Sequence, residues 1–110
     1  MGSPRCWTGF LIADLAFPGA GSLKDRRAPL RSLGDRLRNL GFSVSQVGPS
    51  DLPGRAWLAA CCCASRESAA SAMLERAAGI VRAAPVEVVE LDTRICLFEG
   101  DLGGGVFPDA

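Results

Sequence analysis

Apolar positions first alternate along the chain. From Cys6 to Phe17 (CWTGFLIADLAF), Leu11, Ala13, Leu15 and Phe17 fall on one face of an extended chain, and Phe10, Ile12, Asp14 and Ala16 on the other. This predicts a central strand, ended by Pro18-Gly19-Ala20-Gly21. The period then changes. Leu23, Leu30, Leu33, Leu37 and Leu40 fit an arc of roughly 100° at 3.6 residues per turn, which predicts a helix with one buried leucine face. Ser22, with Asp25 three positions on, is placed to cap its start, and Gly41 to end it in a left-handed conformation. Pro29 conflicts with a regular helix because it deletes one backbone bond, so a kink or a distorted first turn is expected.

Phe42 to Val47 (FSVSQV) reads as a second strand, and the turn-rich 48–54 segment joins it to a third, Arg55 to Ala64, as a hairpin. On the third strand Ala56, Leu58, Ala60 and Cys62 share the face expected to meet the helices. Arg55, Trp57, Ala59, Cys61 and Cys63 share the opposite one. Ser65 to Ala84 predicts a second helix, with Ser65 as cap, apolar contacts at Ala69, Met73, Ala77, Ile80, Val81 and Ala84, and Pro85 just past its end. Val86 to Phe98 predicts a fourth strand in which Val89, Leu91, Thr93, Ile95 and Leu97 alternate with Glu90, Asp92, Arg94 and Cys96. The order β-α-β-β-α-β predicts an α+β, ferredoxin-like split βαβ fold: a four-stranded, antiparallel-dominated sheet with both helices on one face. Leu15, Leu33, Leu37, Leu58, Ile80 and Val81 are its expected core, residues 1–100 one domain, and residues 101–110 a loose, glycine-rich tail.

Composition narrows the chemistry. The 110 residues suit one domain, and a hydrophobic content of 48% supplies a core without metals or disulfides. Twelve Lys+Arg balance twelve Asp+Glu, and histidine is absent, which removes the commonest general base and metal ligand. No apolar run reaches the length of a membrane span, and residues 1–17 lack the pattern of a secretory signal, so a cytoplasmic protein is expected. Five cysteines, three of them consecutive (Cys61, Cys62, Cys63), make a poor disulfide framework and read as reduced, small filler side chains.

The balanced total hides a local excess. Residues 22–40 carry Lys24, Arg26, Arg27, Arg31, Arg36 and Arg38 against Asp25 and Asp35, a net charge of +4. Lys24, Arg27, Arg31 and Arg38 project within roughly 60° on an ideal helix, beside the leucine face, where guanidinium groups are placed to track phosphates. Asp35 falls in the same stripe, and the plainer reading is a solvated helix face. Gly19-Ala20-Gly21-Ser22 before Lys24 offers backbone N–H groups to an anion but lacks the spacing of a nucleotide-binding loop, so a tight turn without a ligand is the simpler account. Trp57 beside Arg55 is placed to stack a base or anchor a protein partner, and the plainer reading is that it covers the sheet or packs in a homo-oligomer. The strand carrying it lacks the aromatic pattern of RNA-recognition motifs. Asp14, Glu90 and Asp92 are expected on one sheet face, where ion pairing with Arg55 or Arg94 is favoured over acid–base work.

Several ordered elements carry a family likeness. Pro18-Gly19-Ala20-Gly21-Ser22-Leu23-Lys24-Asp25-Arg26-Arg27, then Leu30-Arg31-Ser32-Leu33-Gly34-Asp35-Arg36-Leu37-Arg38-Asn39, then Asp51-Leu52 followed by Arg55-Ala56, and the strand Leu58 to Ser65 together resemble the bacterial YlxP-like family over residues 9 to about 98. Pro29, Pro53-Gly54, the cysteine run and the C-terminal extension depart from its pattern. The resemblance implies a ferredoxin-like domain without an established reaction, and a connection with the ribosome or RNA. The expectation is a non-catalytic accessory protein with no cofactor and no metal, touching RNA or the ribosome through Lys24, Arg27, Arg31 and Arg38. The competing expectation is a dimeric interaction module that uses the open sheet face around Arg55 and Trp57.

Overall fold

A computed structural model describes residues 4–99, and the expected tail over residues 101–110 lies outside them. The elements follow in the order β1 (Arg5–Ala16), α1 (Leu23–Asn39), β2 (Ser43–Val47), β3 (Arg55–Ala64), α2 (Glu67–Ala83) and β4 (Glu87–Glu99). The sheet order is β2-β3-β1-β4, with every neighbouring pair antiparallel. This is the ferredoxin-like arrangement: β1 and β3, the two most apolar strands, take the centre. No helix among the described residues is long and apolar enough to cross a membrane.

Ser22 caps α1 as expected: its Oγ accepts a hydrogen bond from the Asp25 N–H at 3.3 Å, while Asp25 Oδ2 accepts one from the Gly21 N–H at 3.1 Å. At the other end Gly41 adopts φ +102°, and its N–H donates to the Arg38 carbonyl at 2.9 Å. The helix runs unbroken through Pro29. Pro29 sits in the second turn, where its missing N–H deprives only the Asp25 carbonyl of its usual helical donor. The leucine face is narrower than expected. Leu33 and Leu37 are buried and Leu30 and Leu40 half-buried, but Leu23, at the first position of the helix, lies beyond the cover of the sheet and is 41% exposed.

The second helix begins later than Ser65. Arg66 occupies the cap position without a side-chain capping bond, and Glu67 places a carboxylate in the positively polarised first turn instead. Its end is fixed by Pro85, which favours extended backbone at Ala84 (φ −67°, ψ 150°). The buried stripe is Ala70, Leu74, Ala77, Ala78 and Val81; Ala69 is exposed, and Met73 and Ile80 only half-buried at the margin of the core. The rotation lets small side chains face the sheet, so the helix lies close to it. A methyl group built on Gly9 would stand 2.9 Å from both Leu74 Cγ and Cys62 Sγ.

The core consists of Leu11, Ala13 and Leu15 of β1 and Ala56, Leu58, Ala60 and Cys62 of β3, sealed by Leu33, Leu37 and α2. In β4 the expected alternation holds only in part. The register against β1 shifts so that Asp14 pairs with Glu90 but Leu15 with Val88, which leaves Val89 in a bulge and 50% exposed. Val88 and Val86, rather than Val89, continue the inner face.

Candidate nucleic-acid interface

The basic residues of α1 divide by where the helix meets the sheet. Arg26 falls inside the leucine arc and is 5% exposed. Its Nη1 donates to the carbonyls of Leu52 and Arg55, each at 2.6 Å, and its Nη2 to that of Ser50 at 2.7 Å. The guanidinium therefore ties the 48–54 connection to α1 and is not available to a ligand. Sequence reasoning counted Arg26 only as part of the positive segment, although its angular position among the leucines was the signal of burial.

Arg27, Arg31 and Arg38 stand on the flank of α1 that faces edge strand β2. With Leu23, Leu30, Gly34, Val44 and Gln46 they border a groove of about 380 Å³. Lys24, the fourth residue of the expected stripe, is exposed but stands outside this lining. Arg38 is paired with Asp35 at 3.1 Å, and both side chains are more than half exposed. Among the described residues, Lys24, Arg27 and Arg31 are in ion-pairing contact with no carboxylate. The groove thus combines an apolar floor, an amide at Gln46 and a wall of guanidinium groups. Phosphate oxygens suit such a wall, because planar guanidinium groups donate two parallel hydrogen bonds to them.

The glycine turn before α1 has the opposite character. The Asp25 carboxylate takes the Gly21 N–H and Ser22 Oγ takes that of Asp25, so these two backbone donors are engaged within the turn and a carboxylate stands at the helix start, where it disfavours an anion.

Across the sheet, on the face away from the helices, Arg55 and Trp57 form one unit with Asp14. Arg55 Nη2 donates to Asp14 Oδ1 at 2.8 Å and Oδ2 at 2.7 Å, and its Nε to Oδ1 at 3.1 Å. The same guanidinium carbon lies 5.3 Å from the Trp57 ring centroid. Trp57 also packs beside Gly48, so it is half-buried. The apolar exposure of this face centres instead on Phe10, at 44%, and Ile12, at 50%. Asp14, Glu90 and Asp92 meet Ile12 and Trp57 around a depression of about 170 Å³, and Asp92 pairs with Arg94 at 3.4 Å. Of the three carboxylates expected to pair with Arg55 or Arg94, Asp14 pairs with Arg55 and Asp92 with Arg94, while Glu90 is in ion-pairing contact with neither.

All five cysteines are free. Burial pushes the Cys62 thiol above its ordinary range, and desolvation followed by a hydrogen bond with Cys63 does the same for Cys6. Neither is shifted toward the reactive thiolate. The described residues contain no group of three or more His, Cys, Asp or Glu side chains placed to hold a metal ion.

A family model described as "Protein of unknown function (DUF503)" matches residues 8–95, from β1 through most of β4. The chain belongs to this family. The DUF503 match takes in both helices, the α1–β2 groove and the Arg55–Trp57 unit. Among solved structures, the de novo designed protein Ferredog-Diesel is similar, with a TM-score of 0.47 and 15% sequence identity over 79% of this chain and 83% of that one. No curated protein matches the sequence.

Proposed function

We propose that this chain is a non-catalytic accessory factor of the cytosol that binds RNA, in association with the ribosome, through the basic face of α1. The observation that carries the reading is the groove beside β2, where Arg27 and Arg31 are exposed and engaged with no carboxylate while the chain as a whole is neutral. A local cationic wall of this kind positions a phosphate backbone without reading its sequence. Lys24 extends the wall along the helix, and Arg38, shared with Asp35, contributes less. The YlxP-like pattern of residues 18–39 supports the connection with the ribosome. The absence of histidine and the raised thiols of Cys6 and Cys62 support a binding role over a catalytic one.

Replacing Lys24, Arg27, Arg31 and Arg38 together by Glu tests this. The expected result is loss of co-sedimentation with ribosomal subunits and of binding to single-stranded homopolymer RNA, with the fold retained by circular dichroism. A charge-reversed protein that co-sediments as well as the parent overturns the reading.

A second reading, self-association through the open sheet face around Trp57, is favoured by the exposure of Phe10 and Ile12. Light scattering over a dilution series tests it: Ile12→Glu dissociates a sheet-face dimer, and a monomer at every concentration removes the reading.

A further inference from the structure

The two edges of the sheet differ. β2 is five residues long and runs into Gly48-Pro49, both of which discourage strand addition. β4 is thirteen residues long, contains no Pro, Gly or Lys, and is regular from Glu90 to Glu99. Pro, charged side chains and bulges blunt such edges; β4 has its bulge at Val89 and charges along its length, but from Glu90 onward the ladder is uninterrupted and its charges are of both signs, which a strand of complementary charge can meet. The inner side of this edge is also incompletely covered: Leu91 and Ile95 are half-buried, Leu97 is 42% exposed, and a cavity of about 480 Å³ opens between β4 and α2.

We propose that the β4 edge pairs antiparallel with β4 of a second copy of this chain, about a two-fold axis at Thr93, to give one continuous eight-stranded sheet. Charge fixes both the occupant and the register. Paired residues must share a face, so the axis passes through a residue rather than between two. At Thr93, Asp92 of each copy faces Arg94 of the other on the outer face, and Leu91 faces Ile95 on the inner one. An axis at Asp92 keeps a carboxylate, Glu90, opposite Arg94 but sets Asp92 against itself, and an axis at Arg94 sets that guanidinium against itself with no charge pair left, so of the three only the Thr93 axis opposes no like charges at its centre. The bulge at Val89 ends the regular seam beyond Glu90 and leaves Glu87, opposite Ala16, on the outer face and Glu99, opposite Arg5, on the inner one, so these carboxylates are not set against each other.

The helix layer obeys the same symmetry. Leu74 packs over Gly9, which is paired with Ile95. One helical turn onward covers about two strand residues, so Ala78 comes level with Thr93. Glu75 and Arg82, which line the cavity on this open side, then flank the axis in opposite directions. The two-fold sends Glu75 of each copy toward Arg82 of the other, past the small side chain of Ala78. The α1 grooves, packed beside β2, remain free at the two far ends of the joined sheet. The seam is independent of the RNA reading and uses a different surface from the sheet face around Trp57.

The full chain, its Asp92→Arg and Arg94→Asp variants, and the double exchange are compared by light scattering and sedimentation over a dilution series, with circular dichroism as a control of fold. A dimer is expected, weakened about tenfold or more by either single reversal and restored by the double exchange. Glu75→Arg and Arg82→Glu, on a separate element, repeat the same pattern of loss and rescue. A monomer at every concentration, or a dimer indifferent to these exchanges, overturns the proposal. A dimer dissociated by Ile12→Glu alone overturns it in favour of the sheet-face reading.

Discussion

Arg26 Nη1 donates to the carbonyl oxygen of Leu52 at 2.6 Å from a side chain that is 5% exposed. The contact joins a helix to a connection without regular secondary structure. With the Arg55 and Ser50 carbonyls it makes one guanidinium the organising group for residues 50–55. Removing it leaves carbonyls short of a donor in a part-buried region, and each charge-assisted bond of this type is worth about 1.5–3 kcal/mol. Arg26→Met, which keeps volume but not donors, should lower unfolding free energy by at least that range in urea titrations. Arg27→Met, one residue away and exposed, should change it by less than about 0.5 kcal/mol. Equal effects at the two positions contradict the division of labour along α1.

The leucines of α1 give a second contrast. Leu37 is fully buried and Leu23 is 41% exposed, although both fall within the same apolar arc. Leu37→Ala should cost about 2–5 kcal/mol, whereas Leu23→Ala should cost less than about 1 kcal/mol. Thermal unfolding of the two variants distinguishes a face that is buried along its whole length from one covered only over its C-terminal half.

These cases mark where sequence patterning succeeds. Strands β1 and β3 are legible because each is a run of ten or more mostly apolar residues marked off by Gly- and Pro-rich turns, which a sheet centre accommodates. The bulge at Val89 is not, because the extra residue exists only relative to its partner strand, and the residues around it are all plausible strand formers. Arg26 is hidden for another reason. A run of two arginines in a cationic segment reads as solvated, while the fate of each is set by about 100° of helix rotation and by a loop 24–29 residues away. The stripe of Lys24, Arg27, Arg31 and Arg38 is legible as exposed, but the groove that three of them line requires the position of β2.

Gly9 is a strand glycine whose place is set by packing. The added methyl of Gly9→Ala meets Leu74 and Cys62 at distances that real Cβ contacts do not reach, so α2 must move outward or Leu74 must change rotamer. Overpacking of this type costs about 1–3 kcal/mol. Leu74→Ala opens the space required, and the double variant should be more stable than the sum of the two single losses, as a double-mutant cycle by urea titration would show.

The buried thiol predicts an alkaline limit. Burial raises the Cys62 thiol above the ordinary value of 9.0, so the folded state holds its proton more tightly than the unfolded state. This contribution is complete below the unfolded value and is lost as pH rises through the folded one. Stability should fall as pH rises past about 9, and Cys62→Ala should flatten that fall even though the truncation lowers stability near neutrality. An unchanged alkaline slope in Cys62→Ala assigns the pH dependence to other groups.

The strength of RNA binding should depend on salt in a way that separates the arginines of the groove. Each phosphate neutralised on a single strand contributes about 0.7 to the slope of log K against log salt, through release of a condensed counterion. Arg27 and Arg31 are engaged with no carboxylate, so Arg27→Gln and Arg31→Gln should each lower the slope by about that amount. Arg38 already shares its charge with Asp35 at 3.1 Å, which makes Arg38→Gln the weaker change. Asp35→Asn reverses the logic: it frees Arg38 and should raise both affinity and slope. Titrations at several salt concentrations read all four variants on one scale. A slope that ignores Arg27 and Arg31 while binding persists locates the phosphates away from this groove, since counterions cannot be released by a surface the RNA does not touch.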